Sequence, residues 1–229
     1  MSITNKLTTL AENQQRVYDT GYEEGERYAA EQAQNFGVKK NYNYWKHQQD
    51  ITNLIIPYPA SPTSAQYMFS NTHTTDDSMI DLRNYNLDFS QCTNFAYWLN
   101  LSKISAIGTL NTTAASDLTS LLYNANQLEV IDHLILKDDG SQKLGNNFGI
   151  HCSKLTHINK ITGQFGQSFR IFHNNSVLFD HDTVINILNA LKDYSGTGTS
   201  PVCTLYSNGW SVVSEEEKKI GTDKGWTLA

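Results

Sequence analysis

The chain has 229 residues, of which 39% are hydrophobic, 17% are charged and 11% are aromatic, and its net charge at pH 7 is −6. This length and apolar content suit one or two domains with a sizeable core, and the negative charge argues against a nucleic-acid-binding face. Residues 1–15 lack the apolar segment of a signal peptide, and no stretch approaches the roughly 20 apolar residues of a membrane span, so we expect a protein made in a cytoplasm.

The N-terminal part predicts one long helix over residues 4–36, within a segment 1–38 that contains no proline. A stripe of small residues recurs at every fourth position of this helix: Gly21, Gly25, Ala29 and Ala33. Each helical glycine costs about 1 kcal/mol relative to alanine, and close approach of another backbone would offset that cost. The stripe predicts an assembly helix that forms homo-oligomers or docks into a larger particle. The alternative is a helix that packs on its own domain.

A polar, aromatic connector is predicted at 39–61, and internal repeats follow at 62–178. In the repeats, apolar residues recur three positions apart, a spacing that fits neither the strand period of two nor the helix period of 3.6. Successive triplets start at Met79, Ile104, Leu128 and Leu155. A helical or 3₁₀ turn is predicted before each triplet.

Units of about 25 residues that cannot bury their apolar side chains alone are typical of a solenoid. We therefore predict an α+β fold with a solenoid of about four to five coils, an N-terminal helix and a C-terminal α/β cap. The predicted repeat core comprises Leu82, Ile104, Ile107, Leu110, Leu128, Ile131, Leu134, Leu155, Ile158 and Ile161.

The C-terminal segment 179–229 is predicted to cap the solenoid. An amphipathic helix is expected to begin at Asp180 or Asp182, followed by a loop and one or two short strands. A second short helix is expected after Ser214, with acidic residues in its first turn, and to end at Gly221.

The search for catalytic or metal-binding residues gives none. His151, His157, His173 and His181 fall in or near the last repeats, but their spacing matches no known ligand set, so we predict no metal and no cofactor. The sequence LKDDG at 136–140 predicts a turn rather than a calcium loop.

The cysteines are predicted to be reduced, buried thiols. Cys92, Cys152 and Cys203 are odd in number and contain no Cys-x-x-Cys pair, which argues against a disulfide framework.

Two of the repeat units resemble a known family. The segments TNFAYWLNLSKISAIGTLNT and GIHCSKLTHINKIT are similar to leucine-rich repeats of the BspA-like type, in which a Cys or Asn precedes Leu-x-x-Ile. Cys152, Leu155 and Ile158 match this pattern, whereas other units carry Ser102 or Ala125 in place of the cysteine. The resemblance implies that the predicted solenoid is a leucine-rich-repeat solenoid.

The two ends of the chain resemble repeat proteins of phages and prophages of Firmicutes that are virion- or tail-associated. The segments concerned are LTTLAENQQRVYDTGYEEG and EEEKKIGTDKGWTLA. The resemblance implies a non-enzymatic structural protein of a tail, baseplate or capsid, made in the host bacterial cytoplasm. Its N-terminal helix would bind other virion proteins, and its repeat surface would bind a host-surface glycan or protein. The alternatives are a bacterial cell-surface adhesin with the same repeats and, less favoured, an enzyme acting on cell-wall glycan.

Overall fold

The computed structural model describes residues 61–85, 87–172, 179–205 and 209–229. Nine strands, two α-helices and two short 3₁₀ turns form in this part of the chain. The strands are β1 (Ile80–Asp81), β2 (Ile104–Asn111), β3 (Val130–Ile135), β4 (Gly145–Ile150), β5 (His157–Ile158), β6 (Ile161–Thr162), β7 (Phe169–Phe172), β8 (Val202–Leu205) and β9 (Thr227–Leu228). The helices are α1 (His181–Ala190) and α2 (Glu215–Thr222), and the 3₁₀ turns are Leu82–Asn84 and Gly209–Val212.

The first sheet is parallel and has the order β1-β2-β3, with β5 and β6 both pairing with β3. Residues paired between β1 and β2 lie 24 or 25 positions apart, and residues paired between β2 and β3 lie 24 positions apart. The offset from β3 to β5 and β6 is 27. This pairing places Ile107, Ile131 and Ile158 in one column across the sheet.

The second sheet is also parallel and has the order β4-β7-β8-β9. Its pairing offsets differ from strand to strand: 22 or 24 positions between β4 and β7, 34 between β7 and β8, and 25 between β8 and β9. Two strands from residues 202–228 thus complete a sheet that begins at Gly145.

The three-residue spacing of apolar residues has a structural cause in β2. A flat strand would bury every second residue, but both Ala106 and Ile107 are buried. The alternation of buried and exposed residues therefore shifts by one position between Ala106 and Ile107. Ile104 lies before the change and Leu110 after it, and both are fully buried.

The predicted fold class is wrong. Instead of an α+β leucine-rich-repeat solenoid with a separate cap, the described residues form two mostly parallel sheets and two helices, an α/β-type arrangement in which no solenoid is identified. Stacked coils require one constant offset between paired residues, whereas the offsets in the second sheet range from 22 to 34. The regular apolar spacing of the first sheet does not extend to the second.

Helix α1 begins where the sequence predicts, with Asp180 as the N-cap residue that accepts a hydrogen bond from the Thr183 backbone N–H. It lies against the edge of the first sheet. Thr183 Oγ1 accepts from the Ile158 backbone N–H at 2.8 Å, and Asn186 Nδ2 donates to the Ile158 carbonyl at 3.0 Å. These side chains satisfy edge groups that would otherwise be open to another strand.

Helix α2 also forms as predicted. Ser214 and Glu217 make a reciprocal capping box at its start. Among the residues in the four described ranges, no helix is long and apolar enough to span a membrane.

Candidate ligand-binding face

The residues predicted as repeat core are packing residues. All of them are buried except Ile161, which is partly buried and packs against the same apolar cluster. Their contacts are with one another and with large aromatic residues such as Phe95 and Trp98. The predicted assembly stripe of Gly21, Gly25, Ala29 and Ala33 lies outside the described residues.

The first sheet turns a polar face away from this core. We define the polar face by Arg83, Thr109, Asp132, His133, His157 and Asn159, all exposed or half-buried. These side chains come from β2, β3 and β5 or from the residues that directly follow β1 and β5. Parallel strands bring them side by side although they are distant in sequence.

A chain of hydrogen bonds and one longer ion pair crosses the polar face. Arg83 donates to both carboxylate oxygens of Asp81, with Nε–Oδ1 at 2.9 Å and Nη2–Oδ2 at 2.6 Å. Its Nη1 lies 3.8 Å from Asp132 Oδ1, which also accepts from Asn159 Nδ2 at 3.1 Å. Four side chains are thus linked across the sheet, and their positions are constrained before any ligand arrives.

The charges on this face alternate in sign. Hydrogen bonds from Arg83 hold the pKa of the Asp81 carboxyl below its usual value, and the same contact raises the pKa of Arg83. Burial lowers the pKa of His133, with a smaller contribution from the Lys160 ammonium, so His133 is neutral at pH 7. The polar face therefore offers both charged and neutral hydrogen-bonding groups, which suits a polar ligand.

Two of the histidines, His157 and His181, lie near carboxylates. His157 Nε2 lies 3.6 Å from Asp180 Oδ2, and His181 contacts Asp182 at 3.1 Å and Glu217 at 2.8 Å. No group of three or more metal-ligating side chains occurs among residues with described positions. His173 falls outside them.

The cysteines are free and buried, as predicted. Burial raises the pKa of Cys92 and of Cys152 to about 12, and it raises the pKa of Cys203 as well. Cys152 Sγ donates to the Leu122 carbonyl at 2.9 Å. A thiol held protonated in this way is a packing group rather than a nucleophile.

The predicted LKDDG turn is also present. Asp139 accepts a hydrogen bond from the Ser141 backbone N–H at 2.9 Å, and Gly140 adopts a φ of 63°. The Asp139 carboxylate serves the turn itself.

Comparison with known proteins gives no relative: no protein-family model, no curated protein and no solved structure matches this chain.

Proposed function

We propose that the chain is a non-enzymatic binding protein and that the polar face of its first sheet contacts the target. The observation that carries this proposal is a parallel sheet with an exposed polar face. In α/β proteins both faces of a parallel sheet are usually covered by apolar packing. Here Thr109, His157 and Asn159 remain exposed within the described part of the chain.

The linked side chains support binding rather than turnover. Arg83, Asp132 and Asn159 satisfy one another in part, so they lose little conformational freedom when a ligand arrives. The face also displays a mixture of positive, negative and amide groups. Such a mixture favours a polar ligand over an apolar one.

We further propose that the protein is a component of a phage virion, in a tail, baseplate or capsid-associated position, and that its N-terminal segment holds it there. This part of the proposal rests on the resemblance of both chain ends to virion-associated proteins. In this arrangement the polar face contacts the host surface. Assembly through the Gly21/Gly25 helix would present several copies and raise the avidity of weak individual contacts.

The binding proposal is tested with fluorescently labelled protein, intact Firmicutes cells and mucin-coated plates. Arg83→Gln removes the charge that joins Asp81 to Asp132, and we expect it to weaken binding by about tenfold. Lys219→Gln is the matched control, because Lys219 is an exposed cation on α2 that pairs with Glu216. Equal binding by both variants overturns the role of the polar face.

The location is tested by immunogold electron microscopy of particles released from lysed cells. Gold at one position on the particle supports the virion proposal. Gold on the bacterial envelope, with none on particles, supports the alternative of a cell-surface adhesin.

A further inference from the structure

A second surface, which shares no residue with the polar face, is formed by three backbone segments that precede β1, β2 and β3 in the chain. We name them the first segment (residues 65–71), the second segment (94–100) and the third segment (117–124). A backbone ladder joins the first two, including Phe69 N–H to the Trp98 carbonyl at 2.8 Å. Another ladder joins the third segment to β4, including Leu122 N–H to the Phe148 carbonyl at 2.8 Å.

The second and third segments separate and leave a groove. At this point the Trp98 indole N–H donates to the Leu121 carbonyl at 2.7 Å, so a side chain takes the place of a ladder bond. The groove has a volume of approximately 400 Å³, within the range of small-ligand sites. Its polar lining is Thr93, Asn94, Asp117, Thr119 and Ser120.

The Asp117 carboxylate gives the groove a fixed acceptor. Burial alone would raise the pKa of this carboxyl, but hydrogen bonds from Thr119 and Lys143 outweigh burial and keep the pKa below its usual value. The Thr119 backbone N–H donates to Oδ1 at 2.8 Å, and Lys143 Nζ donates to Oδ2 at 3.1 Å. The carboxylate is therefore ionised and oriented at neutral pH.

A row of aromatic rings runs beside the groove. Tyr67 and Tyr97 stack with centroids 5.5 Å apart and planes 6° apart. Tyr97 and Tyr123 lie 5.2 Å apart at 85°, and His151 follows Tyr123 at 6.5 Å. The rings change from stacked to perpendicular between Tyr97 and Tyr123, and these two residues belong to the second and third segments, which border the groove.

The backbone of this row is unusual. Tyr67 has a φ of 56° and Tyr97 a φ of 55°, in the left-handed region that bulky residues rarely occupy. The two tyrosines occupy equivalent points of neighbouring segments, and both are half-buried. Strained backbone of this kind concentrates at functional sites.

A ladder of side-chain amides flanks the rings. Asn124 Nδ2 donates to Asn100 Oδ1 at 3.0 Å, and Asn100 Nδ2 donates to Ser70 Oγ at 3.3 Å. On the other flank Asn94 Nδ2 donates to Gln66 Oε1 at 3.3 Å. An amide has two donors and two acceptor positions, and this ladder uses one donor and one acceptor of Asn100.

We propose that the groove and the tyrosine row bind an uncharged hexose polysaccharide. One sugar enters the groove and donates hydroxyl hydrogens to Asp117, while adjacent sugars lie along Tyr97 and Tyr123. Sugar rings present C–H bonds that pack on the electron-rich face of an aromatic ring, and their hydroxyls match the amides of Asn94 and Asn100.

An anionic polymer is disfavoured by the ionised Asp117. A peptide is disfavoured because peptide-binding grooves rely on pockets for apolar or charged anchors. In this groove Phe95, Leu118 and Leu121 are buried, and apart from Ala96 the remaining lining consists of hydroxyls, one amide and one carboxylate.

The probes are cellohexaose, maltohexaose and mannohexaose, with polygalacturonate and an unstructured decapeptide as comparisons. Binding is followed by the indole N–H resonance of Trp98, assigned with Trp98→Phe, because this indole contacts Leu121 at the groove. We expect at least one neutral hexasaccharide to shift the resonance at millimolar concentration. Overturning results are no shift with any of the three, or a shift only with polygalacturonate or only with the peptide.

The variants separate a binding role from a folding role. Asp117→Asn should lower the affinity for the hexasaccharide about fivefold or more, whereas Asp139→Asn should leave it unchanged. The two aspartates are matched, because each accepts from the backbone N–H two residues onward. Equal affinity of the two variants, at equal melting temperature, overturns the site.

The aromatic contribution is tested by Tyr123→Ala and Tyr123→Phe. The alanine variant should lose about tenfold in affinity and the phenylalanine variant should keep most of it, because the ring face is retained. Lys219→Gln, which removes an exposed cation on α2, should have no effect on the affinity for the hexasaccharide. A loss with Lys219→Gln that equals the loss with Tyr123→Ala overturns the proposed site.

Discussion

The two sheets of this protein share parallel pairing but differ in the side chains that their own strands bury. The strands of the first sheet bury aliphatic side chains in register, with Ile107 beside Ile131 and Ile131 beside Ile158. The strands of the second sheet also bury aromatic rings, among them Phe148 and Phe169. Phe165 and Phe169 lie 4.3 Å apart at 21°, and Phe169 meets Trp226 at 6.0 Å and 72°.

The regularity of the first sheet follows from the length of its connections. The offset between paired residues is the number of chain positions from one strand to the next, and in the first sheet it stays between 24 and 27. In the second sheet the connection from β7 to β8 contains α1 and a loop, and the offset there is 34. A regular spacing in the sequence therefore appears only where the connections have nearly equal length.

The largest expected effect lies in the aromatic cluster. Phe169 is 1% exposed and contacts three other rings, so Phe169→Ala should lower the free energy of unfolding by about 3–5 kcal/mol. Ile131→Val, which removes one methyl group from the aliphatic column, should cost about 0.5–1.5 kcal/mol. Urea denaturation followed by circular dichroism measures both. A larger loss for Ile131→Val contradicts the comparison.

A close backbone contact at the entry to the second sheet gives the next effect. A Cβ on Gly166 would overlap the Gly140 carbonyl, so Gly166→Ala should cost about 1–3 kcal/mol. Gly108 in β2 offers a control, since a Cβ there meets Arg83 Cγ at an ordinary 3.7 Å. Thermal unfolding of Gly108→Ala should match the parent, and equal destabilisation of both variants would show that the contact is not tight.

The cap of α1 ties the edge of the first sheet to its covering helix. Asp180→Ala leaves the Thr183 N–H without its acceptor and should cost about 1 kcal/mol. Asp180→Asn keeps an acceptor at the same position and should restore most of this loss. Chemical denaturation of the two variants provides the measurement, and an equal loss in both would assign the effect to charge rather than to capping.

The smallest effect is a pH dependence at the contact between α1 and α2. Hydrogen bonds to Asp182 and Glu217 raise the pKa of His181 above its ordinary value of 6.5, so its contribution to stability is complete below about pH 6.5 and is lost as the pH rises through the pKa of the folded state. The capping contacts of Ser214, together with His181, lower the pKa of Glu217 to about 2, so its contribution is complete above about pH 4.5. Both His181 and Glu217 therefore contribute fully to stability between about pH 4.5 and pH 6.5.

We therefore expect the His181–Glu217 contact to stabilise the fold most near pH 5.5, midway in this window. His181→Gln should remove the decline in melting temperature between pH 6 and pH 8 while leaving the acid limb in place. An equal decline in melting temperature in the parent protein and in His181→Gln would assign the decline to other titratable groups.

The sequence predicted the local features of the structure well. The starts of α1 and α2 depend on Asp180 and Ser214, which act within three residues of their own position. The buried state of the cysteines and the LKDDG turn follow from equally local chemistry. These features need no knowledge of which strands pair.

The fold class was not predictable in the same way, because pairing partners are set by distant residues. Nothing near Cys203 indicates that it pairs with Phe169, 34 positions earlier. The regular triplets of the first sheet suggested one uniform stack, and the prediction extended this regularity into a region where the offsets between paired residues are unequal.

The polar face and the tyrosine groove were also missed as sites. The sequence shows tyrosines at 67, 97 and 123, at irregular spacing, and their alignment depends on a left-handed backbone at two of them. The links of Arg83 to Asp132 and of Asp132 to Asn159 depend on strand register. The sequence did contain a signal: in each of the three segments a tyrosine is followed within four residues by an asparagine.

The burial of all three thiols has a practical consequence for handling and labelling this protein. At neutral pH almost no thiolate forms on Cys92 or Cys152, so air oxidation should not crosslink purified molecules. A cysteine introduced on the surface would be the first to react with maleimide reagents. A spin label or fluorophore could therefore be placed at one chosen position without removing any of the three natural cysteines.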